Sequence, residues 1–337
     1  MTPGTDWLPP WLRGAWEVPG VTDVVVNAPD ALWIDRGLGL ERWESPERGL
    51  TALDIRETAV RLASLAGRRL DDASPLVDAR MPDGSRLHAV LPPIADGCAL
   101  ISLRAVRSHA LSMSDLVLAG TVAESLAAVL EELVAARASV LVTGATGAGK
   151  TTLLATLLSL VPATERVVVV EEAGEVNPNH PHVVRLVERR ANVDGAGAVG
   201  LAQLVREALR MRPDRIVLGE CRGAEVREVM LALNTGHRGG FATMHANGLA
   251  DVPARLVGLA ALADMSERAA SLHAASAFDV VLHVERTGGL RRVAQMGVLA
   301  LKDGAVAVES AIQVDSAGLA TDGPARARLD ALLEGAA

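Results

Sequence analysis

Gly144-Ala145-Thr146-Gly147-Ala148-Gly149-Lys150-Thr151 fits the phosphate-loop pattern G-x-x-x-x-G-K-[ST] at every fixed position. Its flanks agree. Ser139-Val140-Leu141-Val142 before it is an apolar, β-branched run that predicts a buried strand. Thr152 to Val161 after it predicts a helix, with Leu153, Leu154, Leu157, Leu158 and Val161 on one face. Glycines let the backbone curl until successive N–H groups point inward at an anion. The helix start adds donors and the positive end of its dipole. In such a loop Lys150 reaches the β- and γ-phosphates of ATP, and the Thr151 hydroxyl holds Mg²⁺. These eight residues and Thr152 are the candidate nucleotide-binding set. Of 33 basic residues only Lys150 and Lys302 are lysine. A chain that uses arginine almost everywhere keeps lysine where a slim ammonium fits among phosphates.

Composition sets the outer limits. At 337 residues two domains are expected, and an apolar half is enough for a sizeable core. A net charge of -8 argues against nucleic acid or an anionic membrane as the direct partner. Cys98 and Cys221 stand far apart and no C-x-x-C pair occurs. That predicts a reducing compartment, no disulfide framework and no structural zinc. Met1-Thr2-Pro3-Gly4-Thr5-Asp6 lacks the basic and apolar stretches of a signal peptide. No apolar run reaches the ~18 residues of a membrane span. The expectation is a soluble, cytoplasmic protein that meets a membrane only through a partner.

All five tryptophans, Trp7, Trp11, Trp16, Trp33 and Trp43, fall in the first 43 residues. They read either as the core of a small domain or as a partner surface. Strands are expected at Val21 to Val26 and Ala31 to Asp35, with Asn27-Ala28-Pro29-Asp30 as the turn between them. Ser45-Pro46-Glu47 reads as a helix start, and a clearer helix runs from Thr51 to Ala66. Pro75 to Arg80 and Arg86 to Leu91 form a hairpin around Pro82-Asp83-Gly84, and Ala99 to Val106 is a further strand. An α+β domain thus covers residues 1–106. Residues 107–120 read as a linker. Thr121-Val122-Ala123-Glu124 reads as a capping box opening a helix to Arg137. From there to residue 337 apolar strands alternate with helices, as in a mostly parallel sheet. The tail beyond Ser316 reads as frayed or as one terminal helix.

A phosphate-loop enzyme needs acids at the ends of neighbouring strands. One candidate set is Val167-Val168-Val169-Val170-Glu171-Glu172, with Glu175 one turn on; Glu171 and Glu172 are both catalytic candidates. The other is Ile216-Val217-Leu218-Gly219-Glu220, where Glu220 would polarise the attacking water or hold the water shell of Mg²⁺. His245 follows a short strand, Gly240 to Met244, whose end should lie beside the phosphate-loop strand, where ligands collect in open α/β sheets. It is the candidate γ-phosphate sensor. Arginines abound, at 206, 210 and 212 on one helix and at 80, 86 and 104 in the first domain. A finger from a neighbouring subunit is worth about 10³–10⁵ in rate, and Arg104 is the single candidate for it.

Taken in order, these motifs resemble those of the secretion-ATPase superfamily of type II and type IV secretion and type IV pilus machines. Val170-Glu171-Glu172-Ala173-Gly174-Glu175 is similar to its Asp box, Leu218-Gly219-Glu220-Cys221-Arg222-Gly223 to its atypical Walker B, and Thr235-Gly236-His237 through Thr243-Met244-His245-Ala246-Asn247 to its His box. The likeness is strongest to the tight-adherence (TadA/CpaF-type) pilus ATPases, through Val24-Val25-Val26-Asn27-Ala28-Pro29-Asp30 and Val77-Asp78-Ala79-Arg80-Met81-Pro82-Asp83-Gly84-Ser85-Arg86. The resemblance implies an α/β, RecA-like phosphate-loop motor domain with a smaller α+β domain before it. It further implies a homo-hexamer in the cytoplasm that hydrolyses ATP with Mg²⁺ and works on an inner-membrane platform protein. Glu172 stands where the family usually has aspartate, and Arg238 where many members have an acid or a neutral residue. Two other readings stay open: a weakly hydrolysing assembly scaffold, and a conjugation-associated secretion ATPase.

Overall fold

The computed structural model describes residues 5–37, 39–45, 49–105, 110–189 and 197–335. Pro46-Glu47 of the predicted helix start and residue 106, the predicted end of the first domain, lie outside that set. The chain divides into two units, Met1–Ser108 and His109–Ala337.

In the first unit, α1 (Pro10–Trp16) precedes β1 (Asp23–Ala28), β2 (Ala31–Asp35) and β3 (Leu40–Trp43); then come α2 (Ala52–Leu65), β4 (Leu76–Arg80), β5 (Arg86–Val90) and β6 (Leu100–Arg104). The six strands form one antiparallel sheet, β3-β2-β1-β6-β5-β4. Thr51 caps α2: its hydroxyl accepts from Asp54 N, and Asp54 Oδ2 accepts from Thr51 N at 2.8 Å. Ile55, Ala59 and Leu62 of that helix are buried against the sheet core with Val24, Val26, Leu87 and Ile101. Four of the five tryptophans side with the core reading; Trp33 is half-buried outside that core. Trp11 is buried in it, Trp7, Trp16 and Trp43 pack on it, and the rings of Trp7 and Trp16 meet edge to face at 6.4 Å.

The second unit opens with α3 (Met113–Leu118) and α4 (Glu124–Ala135), followed by β7 (Val140–Gly144), α5 (Lys150–Ser159), β8 (Val167–Glu171), β9 (Val183–Val187), α6 (Leu201–Leu209), β10 (Arg215–Cys221), α7 (Glu225–Asn234) and β11 (Phe241–Met244). It closes with α8 (Val252–Ala261), α9 (Glu267–Ala277), β12 (Val280–Thr287), β13 (Leu290–Lys302), β14 (Ala305–Val314), β15 (Ala320–Asp322) and α10 (Arg326–Glu334). Among the described residues nine strands run β15-β14-β13-β12-β7-β11-β10-β8-β9. Those from β12 to β9 are parallel, and β13 to β15 extend the sheet antiparallel. The central strands are buried on both faces, which is why they read as unbroken apolar runs. The alternation is still visible. Val140, Val142, Val167 and Val169 enter one core with α4 and α5, while Leu141, Val168 and Val170 enter the other with α7, α8 and α9.

Two expectations are corrected here. The predicted linker carries α3, opened by a capping box of Ser112 with Asp115, and it buries Met113 and Leu116 in the second unit. Six residues are too few for a helical period to show in sequence. The predicted box at Thr121 does not form. Thr121 N and Val122 N close the turn after α3 on Leu116 O, so α4 starts two residues later at Glu124 with no side-chain cap. In the tail the terminal-helix alternative holds, since α10 forms and buries Leu329, and β15 joins the sheet as well.

Candidate functional site

Gly144-Thr151 forms the turn from β7 into α5, with its three glycines in conformations that favour glycine. Gly144 (φ 150), Gly147 (φ 73) and Gly149 (φ 104) all have positive φ, and Gly149 is the residue before the helix. A Cβ on Gly144 would stand 2.2 Å from Val284 O of the neighbouring β12, so only glycine fits there. Lys150, 7% exposed, donates from Nζ to Gly144 O and Ala145 O, both at 3.0 Å. Burial lowers its pKa, with Glu220 opposing that shift and Arg222 adding to it.

The structure brings Glu220 and His245 to this lysine. β11 lies between β7 and β10, so the residue after β11 and the end of β10 both face the loop. The β10–β11 register slips between Leu218 and Cys221, a bulge that falls on Gly219-Glu220. Thr243 Oγ1 donates to Gly219 O at 2.6 Å and pins the slip. His245 Nε2 donates to Glu220 Oε1 at 2.5 Å, since a carboxylate only accepts. In that tautomer Nδ1 accepts from Lys150 Nζ at 3.3 Å, with Gly144 O 3.2 Å away. Three side chains from three neighbouring strand ends thus form one chain of contacts.

The pair Glu171/Glu172 separates by strand alternation. Glu172 Oε2 accepts from Arg222 Nη1 at 2.5 Å, and Arg222 Nε also donates to Glu220 Oε2 at 2.5 Å. Arg222 therefore ties the two acids together. Sequence reasoning missed this role; the signal was its spacing of two from Glu220 on an extended segment, which puts both on one face. Glu171 points inward instead, 4% exposed. Its Oε1 accepts from Glu175 N at 2.9 Å and Val176 N at 2.7 Å and holds the turn that follows. Its side chain lies across Gly219, where a Cβ would come within 2.8 Å of Glu171 Cγ. Burial pushes its pKa up from 4.5 to about 7, against the pull of the two backbone donors.

A carboxyl raised in the folded state contributes stability that is fully present below pH 4.5 and is lost as pH rises through about 7. Glu171→Gln should therefore melt at or above wild type at pH 7.5, and its advantage should shrink as pH falls to 5. The amide oxygen still accepts both N–H groups. Glu171→Ala leaves both unpaired and is expected to cost about 1–3 kcal/mol. Melting curves at the two pH values check both. Equal loss for Gln and Ala at every pH would contradict this role.

Magnesium fits on the oxygen donors present. Mg²⁺ is usually held by one or two protein groups plus phosphates and water, and Thr151 with Glu220 supplies that number. Among the described residues no group of three His, Cys, Asp or Glu could cage a metal by itself. Arg104 pairs with Asp23 at 2.8 Å inside the first unit. Arg206 and Arg210 are paired with Glu228 and Glu207. Cys221 is buried, and burial pushes its thiol far above the ordinary range, so it is chemically inert.

The chain is similar to several known proteins. A provisionally named conjugal transfer protein, Rv3659c, of Mycobacterium tuberculosis (strain ATCC 25618 / H37Rv) is 50% identical over 294 residues, 85% of this chain and 83% of its own. Conjugal transfer protein TrbB of Rhizobium radiobacter is 30% identical over 281 residues, 82% of this chain and 83% of its own. The crystal structure of the pilus retraction motor PilT with bound ADP superposes with a TM-score of 0.59 at 18% identity, over 96% of this chain and 85% of that one, a likeness of fold. No helix among the described residues is long and apolar enough to cross a membrane. The family profile described as "Type II/IV secretion system protein" matches residues 18–300, and the chain belongs to that family.

Proposed function

We propose that this chain is an ATP-hydrolysing motor of a type IV secretion machine of the conjugal-transfer kind, acting as a homo-hexamer at the cytoplasmic face of a membrane on a platform partner. The observation that carries the reading is the Lys150–His245–Glu220 chain at the ends of β7, β11 and β10, with contacts of 3.3 and 2.5 Å. Lys150 exchanges its two loop carbonyls for phosphate oxygens. Glu220 orients the attacking water and receives its proton. His245 links the phosphate cation to that acid and so reports which phosphates are present. Arg222 holds Glu220 and Glu172 in place. When bound, Mg²⁺ neutralises charge on the phosphates. Arg104 serves a neighbour's site only if its pair with Asp23 opens, so Arg104→Ala should lower turnover in the assembled ring and spare nucleotide binding.

The names of the relatives favour the conjugal-transfer branch. A second reading, a tight-adherence pilus motor, is supported by the stretches from Val24 to Asp30 and from Val77 to Arg86. The net charge of -8 favours a protein partner over direct contact with nucleic acid in both.

Glu220→Gln tests the chemistry. ATP binding should stay within a few-fold of wild type, while phosphate release falls by about 10²–10⁴, the usual worth of a general base. Equal loss of both would make Glu220 structural. Wild-type release no faster than the variant would leave an assembly scaffold rather than a motor.

A further inference from the structure

The ribbon formed by β12 and β13 meets the outside of the phosphate loop. β12 pairs in parallel with β7, with Val284 opposite Gly144. Past that point the two strands continue as a hairpin with Arg286 opposite Arg291 and Thr287 opposite Leu290. It closes through Gly288 (φ 60) and Gly289 (φ 85), a two-residue turn whose positive φ values suit the ribbon's twist.

This register delivers two guanidinium groups to the loop. Arg291 Nε donates to Gly147 O at 3.0 Å, and its Cδ lies 3.2 Å from where a Cβ on Gly149 would be. Arg286 Nη1 lies 3.8 Å from where a Cβ on Gly147 would be. The loop thus has an ammonium inside its curve and two guanidinium groups against its outer glycines. Guanidinium suits phosphate because its planar fork matches two oxygens at once.

We propose that Arg286 and Arg291 are nucleotide-binding residues of the same chain, closing on the phosphates of a nucleoside triphosphate from the hairpin side. The inference rests on the nucleotide reading above. An anion between them meets the planar forks of both. It also makes the hairpin a reporter of how many phosphates the loop holds.

The test is calorimetric titration of the full chain and of Arg286→Ala, Arg291→Ala and the double variant with ATP, ADP and AMP, at low and high salt. Loss of one charge-assisted hydrogen bond should weaken ATP by roughly tenfold or more. ADP should weaken less and AMP least, and the salt dependence of ATP binding should flatten in the double variant. Arg291→Lys should recover part of the loss. A double variant that binds ATP within twofold of wild type overturns the proposal. So does an equal loss for ATP and AMP, which would make Arg291 a brace of the loop alone. Failure of the wild type to bind ATP would sink the nucleotide reading itself, a result separable from the other two.

Discussion

Lys150→Met is expected to abolish nucleotide binding while leaving the second unit at least as resistant to heat as wild type. Removing one partner of a desolvated charge pair costs about 2–5 kcal/mol, so ATP affinity should fall by a factor of about 30 to more than 1,000. The stability half follows from burial. The ammonium is desolvated and its two firm partners are the neutral carbonyls of Gly144 and Ala145. A lysine whose folded pKa lies below its unfolded value costs stability at neutral pH. That cost fades as pH rises through the ordinary lysine range. Methionine fills the space without the charge. Titration with ATP beside melting curves at pH 7 and pH 10 reads both effects. A variant that binds ATP like wild type, or that unfolds many degrees earlier, would assign Lys150 to the scaffold instead.

Arg215→Ala is expected to destabilise the second unit by about 3–5 kcal/mol, the usual cost of breaking a buried ion pair from one side. Arg215 is fully buried at the start of β10. Its Nε donates to Glu165 Oε2 at 2.6 Å, Nη1 to Gly239 O at 3.2 Å and Nη2 to Val134 O at 3.0 Å. A Cβ on Gly239 would come within 2.6 Å of Nη1, so that glycine is the space the guanidinium occupies. Truncation leaves the carbonyls of Val134 and Gly239 without this donor. Among the described residues Glu165 then retains Arg137, at 3.1 Å. The cluster sits where β10 begins, at the opposite end of the strand from Glu220, so the loss should fall on stability before chemistry. The chain offers its own control. All five tryptophans lie in the first 43 residues. Tryptophan fluorescence therefore follows the first unit, while far-ultraviolet circular dichroism follows both. The urea transition seen by circular dichroism should move to lower concentration far more than the one seen by fluorescence. No shift in the dichroism transition would contradict the role.

Much of this was legible because it is local. The phosphate loop, its strand and its helix lie within about 23 consecutive residues, and each has a short-range physical signature. The start of α2 near Thr51 and the turn at Asp83-Gly84 were readable for the same reason. The acids at strand ends were legible as candidates but not as individuals. Glu171 and Glu172 are neighbours, and only the pleat decides which faces Arg222 and which turns into the core. What escaped is long-range. Glu165 stands 50 positions before Arg215, and Arg291 stands 144 positions after Gly147. No local pattern marks an arginine for burial, or a hairpin for a loop so distant in sequence. The antiparallel strands β14 and β15 and the edge strand β9 were missed because half-exposed strands carry a weaker apolar signal than central ones.

The most direct measurement is a crystal structure of the full chain with Mg²⁺ and a non-hydrolysable ATP analogue. The expected result is a triphosphate inside Gly144–Thr151, with Lys150 Nζ moved from the carbonyls of Gly144 and Ala145 onto phosphate oxygens and Glu220 facing the terminal phosphate. An analogue bound elsewhere, or a Lys150 still on its two carbonyls beside an ordered nucleotide, would contradict it.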